Sequence, residues 1–507
     1  MRKCETSFSL DVMKGAPQYI SKTNFLAGDQ CPKLQWIKIR DRDRMPPIDD
    51  QKQAIFNQGH EIGNLAKSLY PEGIEIAEGE FRYRKVIDET NDILPKRLPL
   101  FEAGIAYDGG FARVDILAPD KDGAWQIIEV KSGTSVKDVN VLDVAFQKYL
   151  CEGAGLKISS CSLMHVNSKY IRTGEINAAE LLHIEDITEA ADDLQPSIPD
   201  MLAGQKEVLS QADTPEIRIG PHCSSPYTCD LLDQCWDFLP ERPVTGLYLD
   251  RKKLGWDLLN QGVAALSDIP DSVPLNGKQE IQRATNISGE PHVDNDAIRK
   301  FLDTLQWPLC YFDLESFMKA IPPFDGTSPY QQLPFQFSVH NQQTPGEGLE
   351  HHEFLMEQLS EPRALFMEAL QKIVPTTGSI VAYNAPFEKG VLKRCAEAYP
   401  EYQSWVDSVL PRFVDLLIPF RNFEFYHPDQ NGSASIKAVL PVLTDTSYDG
   451  LEIAEGQAAM GAFVRMVSDE ITQTERDTIR DNLLKYCALD TKAMVDLVDA
   501  LSSLTSE

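Results

Sequence analysis

The chain has 507 residues, of which 42% are hydrophobic and 25% are charged, and its formal net charge is −29. The length predicts two or three domains. The negative charge argues against a protein that coats nucleic acid by bulk electrostatics. It is compatible with an enzyme that binds one strand in a local groove. Because no apolar run approaches the roughly 20 residues that span a bilayer, and residues 1–17 lack a signal-peptide pattern, we expect a cytoplasmic protein with no membrane partner.

The first predicted elements are a helix and a hairpin. An amphipathic pattern predicts a helix over residues 50–70. Runs rich in β-branched residues predict strands over residues 111–117 (FARVDIL) and 125–130 (WQIIEV), and the intervening APDKDG is a turn signal. A second helix is predicted from about residue 141 to residue 155.

The hairpin carries a candidate catalytic site. Glu129 and Lys131 are two residues apart on one strand, so their side chains share a face. Antiparallel pairing can place Asp115 beside them. Two carboxylates suit a divalent cation such as Mg²⁺ or Mn²⁺, and the lysine can stabilise developing charge or position water. Phosphodiester cleavage needs this combination.

These strands, in the form VDIL…IIEVK, resemble the PD-(D/E)XK nuclease superfamily. The resemblance implies catalytic roles for Asp115, Glu129 and Lys131, with Asp115 and Glu129 as metal ligands. The following segment DVAFQKY resembles the Gln/Tyr motif of the RecB-like branch. It implies supporting roles for Gln147 and Tyr149 near the metal and substrate.

The early segment FNQGHEIGNLA resembles the glycine-histidine helix of the same RecB-like branch. Gly63 stands where that branch usually has a histidine, and His60 lies one turn earlier. The resemblance implies a RecB-like α/β nuclease domain over residues 1–240.

Four of the ten cysteines form a pattern. Cys223, Cys229 and Cys235 are each separated by five residues, and Cys31 lies far upstream. Four thiolates can bind zinc or an iron–sulfur cluster, but zinc sites usually contain short gaps of two to four residues. Unligated, buried cysteines are the plain alternative. The remaining six are interpreted as small buried hydrophobic residues: Cys4, Cys151, Cys161, Cys310, Cys395 and Cys487.

One early cysteine and three after the nuclease core resemble the iron–sulfur staple of RecB-like nucleases, as in AddB-type helicase-nucleases and CRISPR-associated exonucleases. The resemblance implies that Cys31, Cys223, Cys229 and Cys235 bind a [4Fe–4S] cluster. Such a cluster would close a long loop and tie the two ends of the domain together.

Residues 241–296 are polar and interrupted by Pro and Gly, which predicts a short helical connector with a helix over residues 254–268. In residues 297–507, strand patterns alternate with helical ones and predict a separate α/β domain. The predicted strands are 309–314, 335–340 and 379–383, and the predicted helices are 361–373, 387–398 and 472–501.

The last region holds a second candidate site. Asp313 and Glu315 end a predicted strand, Glu388 lies where a strand gives way to a helix, and Tyr486 and Asp490 share one helix face. The four carboxylates can bind two Mg²⁺ or Mn²⁺ ions about 4 Å apart, the two-metal arrangement for phosphoryl displacement. Tyr486 would orient the attacking water.

The motifs YFDLES, NAPFE and YCALD resemble, in this order, those of the DnaQ-like or DEDDy 3′–5′ exonucleases, over about 200 residues. The resemblance implies a ribonuclease-H-like fold, with Glu388 in place of the usual Asp. Asp415 in FVDLL is either a helper or a residue at the core edge. The pairing of both domains resembles a bacterial family of such fusions.

The sequence therefore favours a metal-dependent nuclease that acts on single-stranded or end-frayed DNA. The alternatives are a nucleic-acid-binding or scaffold protein with one or both sites degenerate, and an RNA-processing exonuclease, since nothing here reads the 2′-hydroxyl.

Overall fold

A computed structural model describes residues 19–76, 83–250, 253–468 and 471–506. The expectations for residues 1–17 and for Cys4 lie outside these ranges. The chain divides into two compact units. The first comprises Met1–Ile48, Phe56–Tyr170 and Ile176–Asp237. The second comprises Asp49–Ile55, Ile171–Glu175 and Phe238–Glu507, and so includes the segment interpreted as a connector.

A seven-stranded mixed sheet forms the centre of the first unit. Its order is β2-β3-β4-β5-β6-β7, with β1 paired to β4. β3, β4 and β5 are antiparallel neighbours, whereas β5 and β6 are parallel. The strands are β1 (Ile20–Ser21), β2 (Ile74–Glu75), β3 (Leu100–Tyr107), β4 (Gly110–Pro119), β5 (Trp125–Lys131), β6 (Ile158–Val166) and β7 (Leu182–Asp186).

The predicted hairpin is confirmed as β4 and β5, and the short turn between them contains Gly123 at a positive φ that suits glycine. The helix predicted over 141–155 is also confirmed, as α5. The helices of this unit are α1 (Lys22–Gln30), α2 (Pro32–Arg40), α3 (Asp50–Lys67), α4 (Tyr83–Ile93), α5 (Asp138–Gly153), α6 (Ala178–Leu181), α7 (Thr188–Leu194), α8 (Ile198–Ser210) and α9 (Leu232–Trp236). The first residues of α3, up to Ile55, are assigned to the second unit.

The contact between α1 and α5 positions the hairpin site. Phe25 of α1 and Phe146 of α5 are fully buried, and their rings stack with centroids 4.2 Å apart. Lys22 begins α1 and Gln147 lies on α5, so this stacked pair fixes two helices that both reach the hairpin.

The second unit is built on a five-stranded sheet of order β11-β10-β9-β12-β13. β11, β10 and β9 are antiparallel, and β12 and β13 continue the sheet parallel to β9. β8 and β14 form a separate pair. The strands are β8 (His292–Val293), β9 (Leu309–Phe317), β10 (Leu333–Gln342), β11 (Glu350–Leu355), β12 (Ser379–Ala382), β13 (Phe413–Asp415) and β14 (Phe425–Tyr426).

The three predicted helices of this region are confirmed within a few residues. Thr472 and Glu475 form a capping box that begins α19, and Pro386 occupies the first position of α14. The helices are α10 (Leu254–Asn260), α11 (Gly277–Ser288), α12 (Asn295–Leu302), α13 (Arg363–Ile373), α14 (Pro386–Ala398), α15 (Gln403–Val409), α16 (Leu417–Arg421), α17 (Ile436–Leu443), α18 (Gly456–Met466) and α19 (Gln473–Leu504).

One predicted helix is wrong in length. The pattern over 254–268 predicts a continuous helix, but α10 ends at Asn260, and Gly262 adopts a φ of 91°. That left-handed conformation ends a right-handed helix. The fold class is nevertheless mixed α/β, as predicted. Within the described ranges, no helix combines the length and the apolar character needed to cross a membrane.

Substitution of the stacked pair should destabilise the first unit. Phe146→Ala should lower the free energy of unfolding by about 3–5 kcal/mol, because it removes a fully buried ring and leaves a cavity. Urea unfolding of the full chain measures this change. Phe56→Ala is the control, since Phe56 is 49% exposed and its loss should change stability by less than about 0.5 kcal/mol. Equal effects of both substitutions would contradict the packing described.

Candidate functional site

The hairpin brings two predicted carboxylates to one cation. Asp115 of β4 and Glu129 of β5 both contact the ammonium group of Lys22, the first residue of α1. Lys22 Nζ lies 3.1 Å from Asp115 Oδ1 and 2.9 Å from Glu129 Oε1. The amide of Val130 donates to the other oxygen of Asp115 at 2.8 Å. The hairpin thus forms a site at which two acidic side chains share a positive charge.

α5 completes this site. Lys131 Nζ lies 2.6 Å from Glu129 Oε1 and 3.0 Å from Asp143 Oδ2. Gln147 Nε2 donates to Glu129 Oε2 at 2.7 Å and to Asp143 Oδ1 at 2.9 Å. Glu129 is almost fully buried, so every one of these contacts acts in surroundings with little water.

Burial and charge determine the protonation of these carboxylates. Burial and the charge of Glu129 raise the pKa of Asp115 to about 7, although Lys22 and Lys131 oppose that rise. Burial also acts to raise the pKa of Glu129, but the charges of Lys131 and Lys22 outweigh it and lower that pKa. The pKa of Asp143 is raised by burial and by Glu129. Asp115 and Asp143 therefore hold a proton more readily than free carboxyls do.

The other residues of the RecB-like resemblance lie apart from this site. Tyr149 is on α5 but donates its hydroxyl to Asp108 at 3.1 Å and packs against Tyr107. Side chains two positions apart on a helix project about 200° apart around its axis. Tyr149 therefore points away from the carboxylates that Gln147 contacts. His60 is exposed on α3, and the space beside the Cα of Gly63 is open.

The four predicted cysteines line one small cavity together. Cys31 lies between the end of α1 and the start of α2, and the amides of Lys33 and Leu34 donate to its sulfur. Burial raises the pKa of the Cys31 thiol, and these two donors oppose the rise. Gln30 donates to the carbonyls of His222 and Tyr227, which joins the early segment to the loop that carries the later cysteines.

The cysteine sulfurs are spread more widely than a zinc site requires. Within the described residues, the groups whose candidate ligand atoms all lie within 4.8 Å of one another do not include this set. Zn–S bonds of about 2.3 Å would place tetrahedral sulfurs about 3.8 Å apart. The arrangement leaves more space between thiols than a single tetrahedral ion uses.

In the second unit, three predicted carboxylates converge. Asp313 and Glu315 lie two residues apart on β9, and Asp490 lies on α19. One oxygen of each lies within 4.8 Å of the other two. Alternation along β9 places Leu314 on the opposite face, where it enters a separate apolar cluster.

Glu388 comes from the first turn of α14 and is almost fully buried. Its Oε2 atom has no hydrogen-bond partner among the residues that the structure describes. Its charge contributes to raising the pKa of Asp313 and Glu315. A buried carboxylate oxygen without a partner is costly unless a proton or a cation satisfies it.

Two tyrosines and a lysine surround Asp490. The Tyr448 hydroxyl donates to Asp490 Oδ1. Lys437 Nζ lies 5.7 Å from the ring centres of both Tyr448 and Tyr486. Burial raises the pKa of Asp490 to about 6, against the lowering effects of Tyr448, Lys437 and Tyr486. Cys487 Sγ contacts Asp313 at 3.5 Å.

The remaining carboxyls have strongly raised pKa values. Burial, followed by the charges of Asp490, Glu315 and Glu388, raises the pKa of Asp313 well above its usual range. Burial and the charge of Asp490 raise the pKa of Glu315 to about 8. Burial raises the pKa of Glu388 to about 8 as well. Without a cation, this group of acids therefore holds protons near neutral pH.

The carboxylates open onto a cavity of about 530 Å³. Asp313, Glu315, Tyr486 and Asp490 line it together with the basic residues Lys437 and Arg421 and with residues of the α17 N-terminus. Asp415 lies at the end of β13 and accepts from the amides of the nearby turns, so it serves as a structural cap. The cavity is large enough for the end of a polar chain molecule.

Sequence reasoning missed four residues of these sites. They are Lys22, Asp143, Lys437 and Tyr448. Asp143 lies four residues before Gln147, and this helical spacing is a signal that could have found it. The contacts of the other three join segments far apart in the chain, and no local pattern marks them.

Comparison with known proteins places part of the second site in a recognised domain. The family model described as "Domain of unknown function (DUF2779)" matches residues 310–435. This range includes Asp313, Glu315 and Glu388 and ends before Tyr486 and Asp490. The chain therefore contains a DUF2779 domain.

Two curated bacterial proteins show weak similarity to this chain. The "Uncharacterized protein MG366" of Mycoplasma genitalium is 23% identical over 206 residues, which is 37% of this chain and 31% of that protein. The "Uncharacterized protein UU173" of Ureaplasma parvum serovar 3 is 24% identical over 221 residues, 39% of this chain and 31% of that protein. The matched segments span about a third of each relative.

Neutralising Glu388 should change how stability depends on pH. The folded pKa of about 8 lies above the ordinary value of 4.5, so between these values the folded protein holds more protons than the unfolded chain. The free energy of unfolding contributed by this group therefore falls as pH rises from about 4.5 to about 8. In protein free of divalent cations, Glu388→Gln should be more stable than wild type at pH 8, by on the order of 1 kcal/mol or more.

Urea unfolding at pH 5 and pH 8 in EDTA measures this difference. Glu397→Gln is the matched control, because Glu397 is exposed on the same helix and should leave the pH dependence unchanged. An identical pH dependence for Glu388→Gln and wild type would show that the Glu388 carboxyl does not lower the free energy of unfolding as pH rises.

Proposed function

We propose that this protein is a metal-dependent nuclease that hydrolyses phosphodiester bonds in single-stranded or end-frayed DNA. The observation that carries the proposal is the convergence of Asp313, Glu315 and Asp490. The buried Oε2 of Glu388, which has no hydrogen-bond partner among the described residues, adds to the demand for a cation. Buried like charges repel one another strongly unless cations neutralise them.

The residues of the second unit fit divalent cations with oxygen ligands. Asp313, Glu315, Glu388 and Asp490 would hold Mg²⁺ or Mn²⁺, which supply Lewis-acid polarisation of a phosphate and an activated water. Tyr486 lies beside Asp490 and would orient that water. Lys437 would balance the charge of a phosphate in the cavity.

The order of motifs supports a DEDDy 3′–5′ exonuclease site. Three antiparallel strands continued by two parallel ones are compatible with the ribonuclease-H-like fold that the motifs imply. The cavity admits a chain end, and Lys437 and Arg421 in its lining would attract the phosphates of a strand once cations neutralise the carboxylates.

For the first unit we propose a PD-(D/E)XK site. Asp115 and Glu129 would hold a divalent cation, Lys131 would stabilise developing charge and Gln147 orients Glu129. The ammonium of Lys22 lies between the two carboxylates. This contact indicates that one cation can lie between the two carboxylates. The same contact favours the alternative in which this site is degenerate and only binds nucleic acid.

We further propose a [4Fe–4S] cluster on Cys31, Cys223, Cys229 and Cys235. Support comes from the shared cavity and from the two amides that favour a thiolate at Cys31. The cluster would hold the early segment against the later loop.

Single and double substitutions separate the two proposed nuclease sites. Asp313→Asn should abolish EDTA-sensitive 3′–5′ degradation, and Lys131→Met should remove any cleavage that survives it. The first change removes a proposed metal ligand and the second removes a charge that acts on the reacting phosphate, so each loss should be at least about 100-fold. The measurement uses full-length protein with Mg²⁺ or Mn²⁺ on end-labelled single-stranded DNA, duplex DNA and RNA.

The matched controls are Lys121→Met on the same hairpin and Asp303→Asn in the second unit, both at exposed positions. Both should retain wild-type activity. Wild-type protein that binds DNA but cleaves no substrate would support the binding-protein alternative. Preferential degradation of RNA would favour RNA processing.

The cluster proposal has a direct spectroscopic test. Anaerobically purified protein should be brown and absorb broadly at roughly 400 nm, and Cys31→Ala should lose both colour and iron. Cys151→Ala is the control, because Cys151 is a buried cysteine of the same unit that lies outside the cavity. Colourless wild-type protein with one zinc ion per chain would overturn the proposal.

A further inference from the structure

A third group of potential metal ligands lies on β6 and β7, apart from the carboxylate sites. It consists of His165, His183 and Glu185, and one candidate ligand atom of each lies within 4.8 Å of the other two. His165 and His183 are direct partners in the antiparallel register, and their ring centroids are 5.3 Å apart. Glu185 is two residues beyond His183, so all three side chains share one face of the sheet.

Local contacts orient the His165 ring for a cation. His165 is buried, and its Nδ1 lies 3.2 Å from the carbonyl oxygen of Val166. Since a carbonyl can only accept, Nδ1–H is the donor, and Nε2 is left to face the other groups. A hydrogen bond from one ring nitrogen to a backbone carbonyl is the usual arrangement of a metal-binding histidine.

The free nitrogen of this ring faces an acidic oxygen. His165 Nε2 lies 3.4 Å from Glu185 Oε2. A proton or a metal ion can bridge two such atoms. A proton joins two groups only, whereas a metal ion also uses the third ligand, His183.

We infer that His165, His183 and Glu185 bind a divalent transition-metal ion, with Zn²⁺ as the best match. Two imidazoles and one carboxylate are borderline ligands that suit zinc better than magnesium. His183 and Glu185 are exposed, so a fourth coordination position is open to water or to an anionic oxygen ligand.

The position of this metal site relates it to the hairpin. His165 is the register partner of Lys131 across the parallel strands β6 and β5, so both side chains leave the same face of the sheet. An anion bound at the open position would therefore lie on the face that carries Asp115 and Glu129. The metal site itself rests on its own geometry and does not depend on nuclease activity.

Zinc uptake by the full-length protein tests the inference. As-purified wild-type protein and variants are dialysed against micromolar Zn²⁺, and bound zinc per chain is determined by elemental analysis. His183→Ala should bind one zinc ion fewer than wild type, and Glu185→Gln should weaken zinc binding at this site at least tenfold. Both residues are exposed, so neither change should alter the thermal unfolding transition.

His352→Ala is the matched control. His352 Nε2 pairs with Glu350 at 3.2 Å on a strand of the other unit, and this pair is not among the described groups of three ligands. Its loss should leave zinc uptake unchanged. Equal zinc uptake by wild type and His183→Ala, or an equal loss in His352→Ala, would overturn the inference and leave His165 and Glu185 as an ion pair.

Discussion

The gathering of carboxylates in surroundings with little water is the constraint on which both units depend. Each buried acid raises the proton affinity of its neighbours, because like charges interact strongly at low dielectric. A fold can meet this cost with its own cations, with protons or with bound metal. The two units of this chain use different solutions.

In the first unit, the protein supplies the balancing charge. Lys22 and Lys131 stand among Asp115, Glu129 and Asp143, and together they lower the pKa of Glu129. In the second unit, Lys437 acts on Glu315 and Asp490, lies over two tyrosine rings, and is not ion-paired to a carboxylate among the described contacts. The unmet charge is therefore concentrated at Asp313, Glu315 and Glu388.

These two ways of balancing buried charge have different consequences for the sites. A site that balances its own charge can persist as a structural network after its chemistry is lost. A site with excess buried negative charge has no comparable structural benefit, since neutral residues of similar size would be more stable there. The second unit is thus the better candidate for a metal-dependent reaction.

The sequence predicted those features that depend on local periodicity. The strand period placed Glu129 with Lys131 and Asp313 with Glu315, and the helical period placed Tyr486 with Asp490. Periodicity could not reveal Lys22, whose contact with Glu129 joins residues 107 apart in sequence. It also could not show that Tyr149 faces away from Gln147, because the motif gives residue types without the rotation of the helix.

The position of α1 between the cysteines and the hairpin has a mechanical consequence. Lys22 is its first residue and Cys31 follows its last, so a rigid rod of roughly 13 Å connects them. A group bound by the cysteines would fix one end of this helix, and its loss would change the position of the Lys22 ammonium at the other end. A ligand bound in the cysteine cavity would therefore influence the charge that Lys22 presents to Asp115 and Glu129. By reciprocity, a cation that displaced Lys22 would alter how firmly the cysteines held such a ligand.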